Sequence, residues 1–344
     1  MDRSVTLTLF LGLAAGWELR GDLSPAHVAI EELFERSDTV IRGRCESVHA
    51  VSAAADHEGY ADYLAAVSVL TVYKGDPQNP ITVRFPDRSV AAGAPPCGGT
   101  TWLLFLKASE ADRTFVLSDP NFGMRYLPGN VSTSGPSQPG VRVIEADLAR
   151  IMTESRDADA VNALRILADL ERLGPSSIAL LQAMSQRPDL QVSTLALEML
   201  ARADPIRYFE AFVHAFETAR PDDPLIAVRL CELAQSVGSS KQLPALRQMV
   251  DWTLYPGLRE CAMQGIRKLK VSAAVPFLVQ HLDDPQDDVS YLALITLAEM
   301  VGKNGDFAPG FGLYVQNRQK YRELWHDWWK VQGAAEYPPD GTSR

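Results

Sequence analysis

The side chains of this chain that could do chemistry are six histidines, four cysteines and a dense group of aspartates. Metal sites and acid–base sites need such residues at short, regular spacings, because the ligands or catalytic groups must converge on one point. The chain lacks the GxSxG, HExxH, P-loop and dinucleotide-binding glycine motifs. The histidines are scattered without metal spacing: His27, His49, His57, His214, His281 and His326. We therefore expect a protein that is not an enzyme and that uses no cofactor or metal.

Two acidic clusters nevertheless need an interpretation. Asp56-His57-Glu58 lies in a polar stretch between predicted strands and is typical of a solvated loop. The second cluster, four aspartates between residues 283 and 288, supplies oxygen atoms that could bind calcium. It also fits a turn whose carboxylates line the start of a helix, where the helix dipole favours negative charge. We favour the turn for this cluster, which consists of Asp283, Asp284, Asp287 and Asp288.

Four aromatic residues near the C-terminus are spaced for one face of a helix: Tyr321, Trp325, Trp328 and Trp329. Such a face could bind a sugar or a peptide. It could equally seal the exposed apolar end of a stack of helices, as a terminal capping helix must. We expect the capping role.

The cysteines contain no CxxC pair, which argues against zinc. In an exported protein, Cys45 and Cys97 are a candidate disulfide, because both lie in the N-terminal half. Cys231 and Cys261 lie in the second helices of neighbouring predicted repeats, where we expect buried thiols.

Composition and charge narrow the partners. The net charge of −10, without a basic cluster, argues against nucleic acid. Residues 1–22 contain a short apolar stretch that fits either a signal peptide or a short amphipathic helix or strand; we favour the signal peptide, followed by a mature chain without an integral membrane segment. We therefore expect an extracytoplasmic protein, either periplasmic or secreted.

The N-terminal half alternates apolar and polar residues with the period of strands. Short runs rich in β-branched residues are separated by glycine and proline, which predicts an antiparallel β-barrel or sandwich, and we expect a small barrel over residues 25–142. The expected strands are residues 39–48, 65–73, 81–85, 101–106 and 114–117. Residues 119–144 are crowded with Gly, Pro and Ser and predict a hairpin tip or linker.

The order SDTVIRGRCESV, AVSVLTVYKG, ITVRF and CGGTTWLLFLKA resembles the netrin-like, or tissue-inhibitor-of-metalloproteinase-like, OB barrel of bacterial exported proteins. The resemblance implies a five-stranded barrel used for protein contacts. It does not imply metalloproteinase inhibition, which needs an N-terminal cysteine, whereas no cysteine precedes Cys45.

Other OB barrels bind single-stranded nucleic acid through basic and aromatic residues. The available side chains here are Arg42, Arg44, Arg84 and Arg88 with Tyr73, Phe85 and Trp102. Because those aromatics mostly lie in apolar runs, we expect them in the core and expect no nucleic acid.

From residue 145 the apolar spacing becomes helical and then repeats. Three columns recur in steps of 33, 33 and 31 residues, which predicts a stacked array of helix pairs over residues 145–330. The tail, residues 331–344, is expected to be disordered. Arg229 departs from a column of alanines, so the second repeat is the least regular. The columns are Val192, Leu225, Leu258, Val289; Ala196, Arg229, Ala262, Ala293; and Leu200, Leu233, Ile266, Leu297.

The last repeat, AVPFLVQHLDDPQDDVSYLALITLAEMVG at 274–302, resembles the HEAT repeat, in particular its short, phycobilisome-lyase-like bacterial form. The resemblance implies an α-solenoid that binds proteins. We thus expect a β-then-α, two-domain protein: an OB-like barrel, then a HEAT-like solenoid with a capping helix. Its expected function is that of a scaffold that binds protein partners through the solenoid and the barrel. The alternative is a chromophore-lyase-like enzyme or enzyme accessory that uses the concave face of the repeats.

Overall fold

Alternating apolar residues in the N-terminal half produce six strands. The structure, a computed structural model, describes residues 28–51, 62–85, 99–109, 114–119, 124–127, 141–154, 156–170, 173, 175–221, 224–252 and 254–338. A short helix, α1 (Ile30–Arg36), precedes the strands. The strands are β1 (Thr39–Val51), β2 (Asp62–Lys74), β3 (Ile81–Phe85), β4 (Thr101–Ala108), β5 (Phe115–Leu117) and β6 (Met124–Tyr126).

Five of these strands close into a barrel. The ring runs β1-β2-β3-β5-β4 and returns to β1, while β6 pairs with β4 alone. All neighbours are antiparallel except β3 and β5, which are parallel. The five predicted strands are therefore confirmed. The three-residue strand β6 lies within the segment expected to be a tip or linker, and it is too short to show an alternating pattern.

The barrel core consists of inward-facing residues from each strand. Ile41 and Cys45 on β1 point into it, as the alternation predicts. The opposite side of β1 is also buried, because Val40 and Arg42 have no exposed surface. Since a strand that is buried on both faces needs cover outside the barrel, other elements must pack there.

Helices α2 (Val141–Glu154) and α3 (Asp157–Leu167) provide contacts to the barrel. The buried Tyr73 hydroxyl on β2 donates a hydrogen bond to Asp147 Oδ2 on α2 at 2.6 Å. Just after α3, Asp169 accepts from Arg125 Nε of β6 at 2.9 Å. Burial and the neighbouring Asp147 carboxylate raise the pKa of Tyr73 well above its ordinary value, so it remains a neutral donor.

Helices make up the rest of the chain, which confirms the β-then-α order. They are α4 (Pro175–Met184), α5 (Leu190–Ala203), α6 (Pro205–Ala219), α7 (Pro224–Ser236), α8 (Leu243–Val250), α9 (Pro256–Leu269), α10 (Val275–Gln280), α11 (Asp287–Val301), α12 (Phe311–Gln316), α13 (Arg318–Trp328) and α14 (Ala334–Glu336). The described residues divide into two compact units, and the boundary falls between Ala196 and Leu197, within α5.

In the unit that begins at Leu197, helices stack on their neighbours in two layers. The second helices α7, α9 and α11 pack in succession, and each first helix packs on its partner. This nearest-neighbour arrangement is how a repeat array buries faces that one repeat cannot bury alone. Helical backbone extends to Glu336, six residues into the segment expected to be a disordered tail. No helix among the described residues is both long and apolar enough to cross a bilayer.

The second repeat corrects the predicted columns. Val192, Leu258 and Val289 are buried as expected, but Leu225 is 55% exposed. The buried stripe of α7 starts one residue later, at Ile226, and continues through the buried residues Leu230 and Ala234. The column aligns Leu225 with Val192 and Leu258 only if α7 begins at the same point of its repeat as α5 and α9. It does not, because α7 begins one residue before Leu225, whereas α5 and α9 begin two residues before Val192 and Leu258.

Candidate functional site

The predicted pair Cys45–Cys97 is only half described. Cys45 is buried in the barrel core, and Cys97 lies outside the described residues. Two residues after Cys97, the backbone lies against that of Cys45. The Gly99 amide donates to the Cys45 carbonyl at 2.6 Å, and the Cys45 amide donates to the Thr100 carbonyl at 2.8 Å. This proximity is compatible with a bridge, which stays a prediction.

The two cysteines of the helical repeats are joined by a disulfide, so the expectation of buried thiols is wrong. Cys231 on α7 and Cys261 on α9 are bonded, with their Cα atoms 5.2 Å apart. They are 30 residues apart, close to one repeat, and so lie at nearly the same level of neighbouring parallel helices. Their equivalent positions in successive repeats are the sequence signal from which a bridge could have been predicted.

Three exposed apolar side chains lie in the first turns of α7 and in the turn that precedes α9. Besides the disulfide, Gln235 Nε2 donates to Gln264 Oε1 at 2.9 Å. The same offset places Leu225 level with the turn that precedes α9, where Leu254 lies. Leu225, Val228 and Leu254 are 55%, 42% and 60% exposed. We call these three residues the repeat edge.

Aromatic rings lie next to the repeat edge in sequence and hold its turn. The ring of buried Phe216, at the end of α6, stacks on Trp252 at 5.6 Å and meets Tyr255 edge-on at 5.3 Å. Because Leu254 lies between Trp252 and Tyr255, its backbone is held by this cluster. The repeat edge is therefore an exposed apolar group next to a packed aromatic cluster.

Arg229 has a specific reason to interrupt the alanine column. Its guanidinium lies 3.2 Å from Glu198 Oε2 on α5, and the Glu198 side chain is fully buried. Burial raises the pKa of Glu198, while Arg229 and Arg202 oppose that shift. A buried carboxylate without a cation would be strongly destabilising, so the arginine is required by the glutamate of the preceding repeat.

Three of the four aspartates of the last turn contact basic side chains. Asp284 pairs with Arg259 and accepts from the Gln286 amide at 2.9 Å. Asp283 Oδ2 lies 2.8 Å from His326 Nε2. Asp287 pairs with Arg318 and begins α11 together with Asp288. Among the described residues, no three His, Cys, Asp or Glu side chains are grouped to hold a metal ion.

Glu260 on α9 should make stability depend on pH. Burial and nearby Asp288 raise its pKa from 4.5 to about 7, although the hydrogen bond from Gln286 opposes the shift. The folded protein therefore binds a proton that the unfolded chain has lost above its ordinary pKa. Stability is greatest below pH 4.5 as far as this group is concerned, and it falls as pH rises through about 7. Glu260→Gln should raise the free energy of unfolding at pH 8 by about 1 kcal/mol, since solvent screening reduces the full shift.

The check is urea denaturation of both proteins at several pH values between 5 and 8. The matched control is Glu299→Gln: Arg267 holds the pKa of Glu299 below its ordinary value, so this carboxylate is ionised in the folded and unfolded chains throughout that range, and its removal should lower stability without changing the pH slope. An unchanged pH slope in the Glu260 variant would contradict the assignment.

The C-terminal aromatic residues form a buried cluster. Trp325 has no exposed surface, and Tyr321 and Trp328 are 5% and 7% exposed. Trp325 Nε1 donates to the Phe307 carbonyl at 3.0 Å, and its ring meets Trp328 edge-on. Three of the four predicted residues are thus packed inside the end of the array, and Trp329 is partly exposed. A buried ring cannot stack on a ligand, so the geometry agrees with the capping role.

Several residues that the sequence suggested for nucleic-acid or metal binding are buried, lie outside the described residues or contact another side chain. Tyr73 and Phe85 are buried, as their apolar surroundings predict, and Arg42 is buried with them. Arg88, His57 and the rest of the Asp56–Glu58 cluster lie outside the described residues. His281 Nε2 lies 3.2 Å from Asp251 Oδ1.

The repeat edge was missed at the sequence level. The apolar column predicts that Leu225 is buried, and Leu254 lies two residues after Trp252, where no pattern distinguishes an exposed leucine from a core one. Compared with known families and curated proteins, the chain matches no family model and no curated sequence.

Proposed function

We propose that this protein is a non-enzymatic scaffold that binds a protein partner outside the cytoplasm, through its helical repeats and with its barrel as a second contact. The observation that carries the proposal is the repeat edge. Leu225, Val228 and Leu254 each expose more than 40% of their surface on adjoining repeats. Covering such a group adds about 1 kcal/mol for each half-exposed aliphatic side chain.

The finer identities belong to the same proposal. The closed five-stranded ring supports a netrin-like OB barrel, and the succession α7, α9, α11 supports a HEAT-like array. The Cys231–Cys261 disulfide supports export, because such bonds persist in oxidising compartments and are rare in the cytosol. A fusion of residues 1–25 to a reporter that is active only outside the cytoplasm tests export, and a silent reporter would remove that part.

The test of the surface is a paired substitution, Val228→Asp with Leu254→Asp. A partner recovered by co-purification from the native host is titrated against wild type and variant, and binding should weaken by about tenfold or more because two charges replace the apolar contact. The matched control is Ile206→Asp. Ile206 is 57% exposed at the start of α6, away from the edge in the chain. Equal weakening by the control, or undiminished binding by the edge variant, would exclude the repeat edge as the contact.

A further inference from the structure

A second apolar surface lies near the C-terminus, on helix α12. Seven of the eight residues from Gly310 to Asn317 are exposed. Three of them are large and apolar: Phe311, Leu313 and Val315 are 42%, 51% and 42% exposed. A six-residue helix that leaves this much apolar surface in water gains little from it in the isolated chain. We call these three residues the α12 knob.

The α12 knob is anchored by two aromatic side chains, Tyr314 and Phe311, and the Phe311 ring meets the Tyr291 ring edge-on at 5.1 Å. Tyr314 has no exposed surface, and its hydroxyl donates to Ser290 Oγ at 2.8 Å. Its ring lies 5.5 Å from that of Tyr291 on α11 and 6.3 Å from that of Tyr321 on α13. The helix is therefore fixed at its base, with its remaining sides toward solvent.

The direction of the apolar side chains favours a fluid partner over a rigid groove. Successive helical residues are rotated by about 100°, so Phe311 and Val315 lie on one side and Leu313 is roughly 200° around the axis. A protein groove that covers one side leaves the opposite side in water. Hydrocarbon at a bilayer surface surrounds all three side chains together.

The sequence segment that contains α12 is richer in cationic residues than the chain as a whole. The chain carries −10, yet four of the five charged residues from Gly302 to Arg322 are cationic. Arg318 and Arg322 contact aspartates of the preceding turn. Lys303 lies over the Phe307 ring at 4.7 Å and Lys320 over the Tyr321 ring at 5.6 Å. Neither lysine forms an ion pair with a carboxylate in the described part of the chain. Asp306 is the acidic residue of this segment.

We propose that the α12 knob, with Lys303 and Lys320, docks the protein on the surface of an anionic lipid bilayer. The apolar side chains enter the boundary between head groups and acyl chains, and the lysines meet lipid phosphates. The attachment is peripheral and reversible. It rests on none of the residues of the repeat edge.

The experiment is flotation of the full chain with vesicles of phosphatidylcholine, with and without one third phosphatidylglycerol. Wild type should float with the anionic vesicles, less in high salt and little with phosphatidylcholine alone. The combined substitution Phe311→Ser, Leu313→Ser, Val315→Ser should weaken binding by about tenfold or more, because insertion is lost. The control is Val331→Ser, the removal of an apolar side chain that is 77% exposed outside the knob.

A second variant, Lys303→Glu with Lys320→Glu, keeps the test independent of the first, and thermal unfolding confirms that each variant is folded. It should lose binding to anionic vesicles because repulsion replaces attraction. No flotation of wild type, or equal flotation of wild type and both variants, overturns the proposal. Sedimentation that shows a dimer lost in the serine variant, without vesicle binding, would assign the knob to a second copy of the chain.

Discussion

Replacing Trp325 with alanine is expected to lower the free energy of unfolding of the helical array by about 3–5 kcal/mol, the range for truncating a fully buried tryptophan. The side chain has no exposed surface and packs against Phe307 and Trp328, with ring centroids at 4.9 and 5.2 Å. Its removal leaves a cavity at the end of the stack and an unpaired carbonyl at Phe307, which now accepts from its indole.

The measurement is urea denaturation followed by circular dichroism at the helix band. Trp329→Ala is the matched control: it removes the same side chain from a neighbouring, partly exposed position, and we expect a loss of about 1 kcal/mol. Similar losses in both variants would show that Trp325 does not seal the array. Unchanged stability, with loss of a ligand, would restore the binding role for this face.

Removing the Cys231–Cys261 bond should have the next largest effect. The bond closes a loop of 30 residues, and the loss of chain entropy in the unfolded state predicts about 3–4 kcal/mol. We expect Cys231→Ala with Cys261→Ala to unfold at correspondingly lower denaturant. Treating oxidised wild type with a phosphine reductant should reproduce the change.

The matched control is the same reductant applied to the double variant. If Cys231–Cys261 is the one bridge, the reductant should leave the variant unchanged. A further loss would report a second bridge, for which Cys45–Cys97 is the candidate, and peptide mapping without reduction would identify it. Equal stability of oxidised wild type and variant would show that the bond does not hold α7 to α9.

A structural feature could be predicted when it depends on residues that are close together in the sequence, and not when it depends on residues far apart in the chain. The strands at 81–85 and 101–106 are local patterns, and their burial follows from alternation, so they are found as predicted. Met124–Tyr126 carries no pattern of its own and becomes a strand only because β4 offers an unpaired edge to it. The buried position of Trp325 likewise follows from its helical spacing.

The repeat edge and the α12 knob could not be predicted, because the exposure of their side chains depends on residues that are distant in the sequence. A leucine at position 225 satisfies a buried column equally well whether its side chain faces the core or water, and the sequence pattern does not distinguish the two. Position 229 shows the consequence: the arginine is explained by Glu198, which lies 31 residues earlier in the chain. No local pattern connects the two side chains.

By itself, the amino-acid sequence determined the order of strands and helices, the period of the repeats and the aromatic character of the final helices, because periodicity and side-chain burial act over a few neighbouring residues. Only the tertiary structure decided that Arg229 pairs with a buried glutamate, and that the repeat edge and the α12 knob face water. Those outcomes depend on the rotation and register of packed helices, and small differences in turn length change both without altering any helix's own pattern.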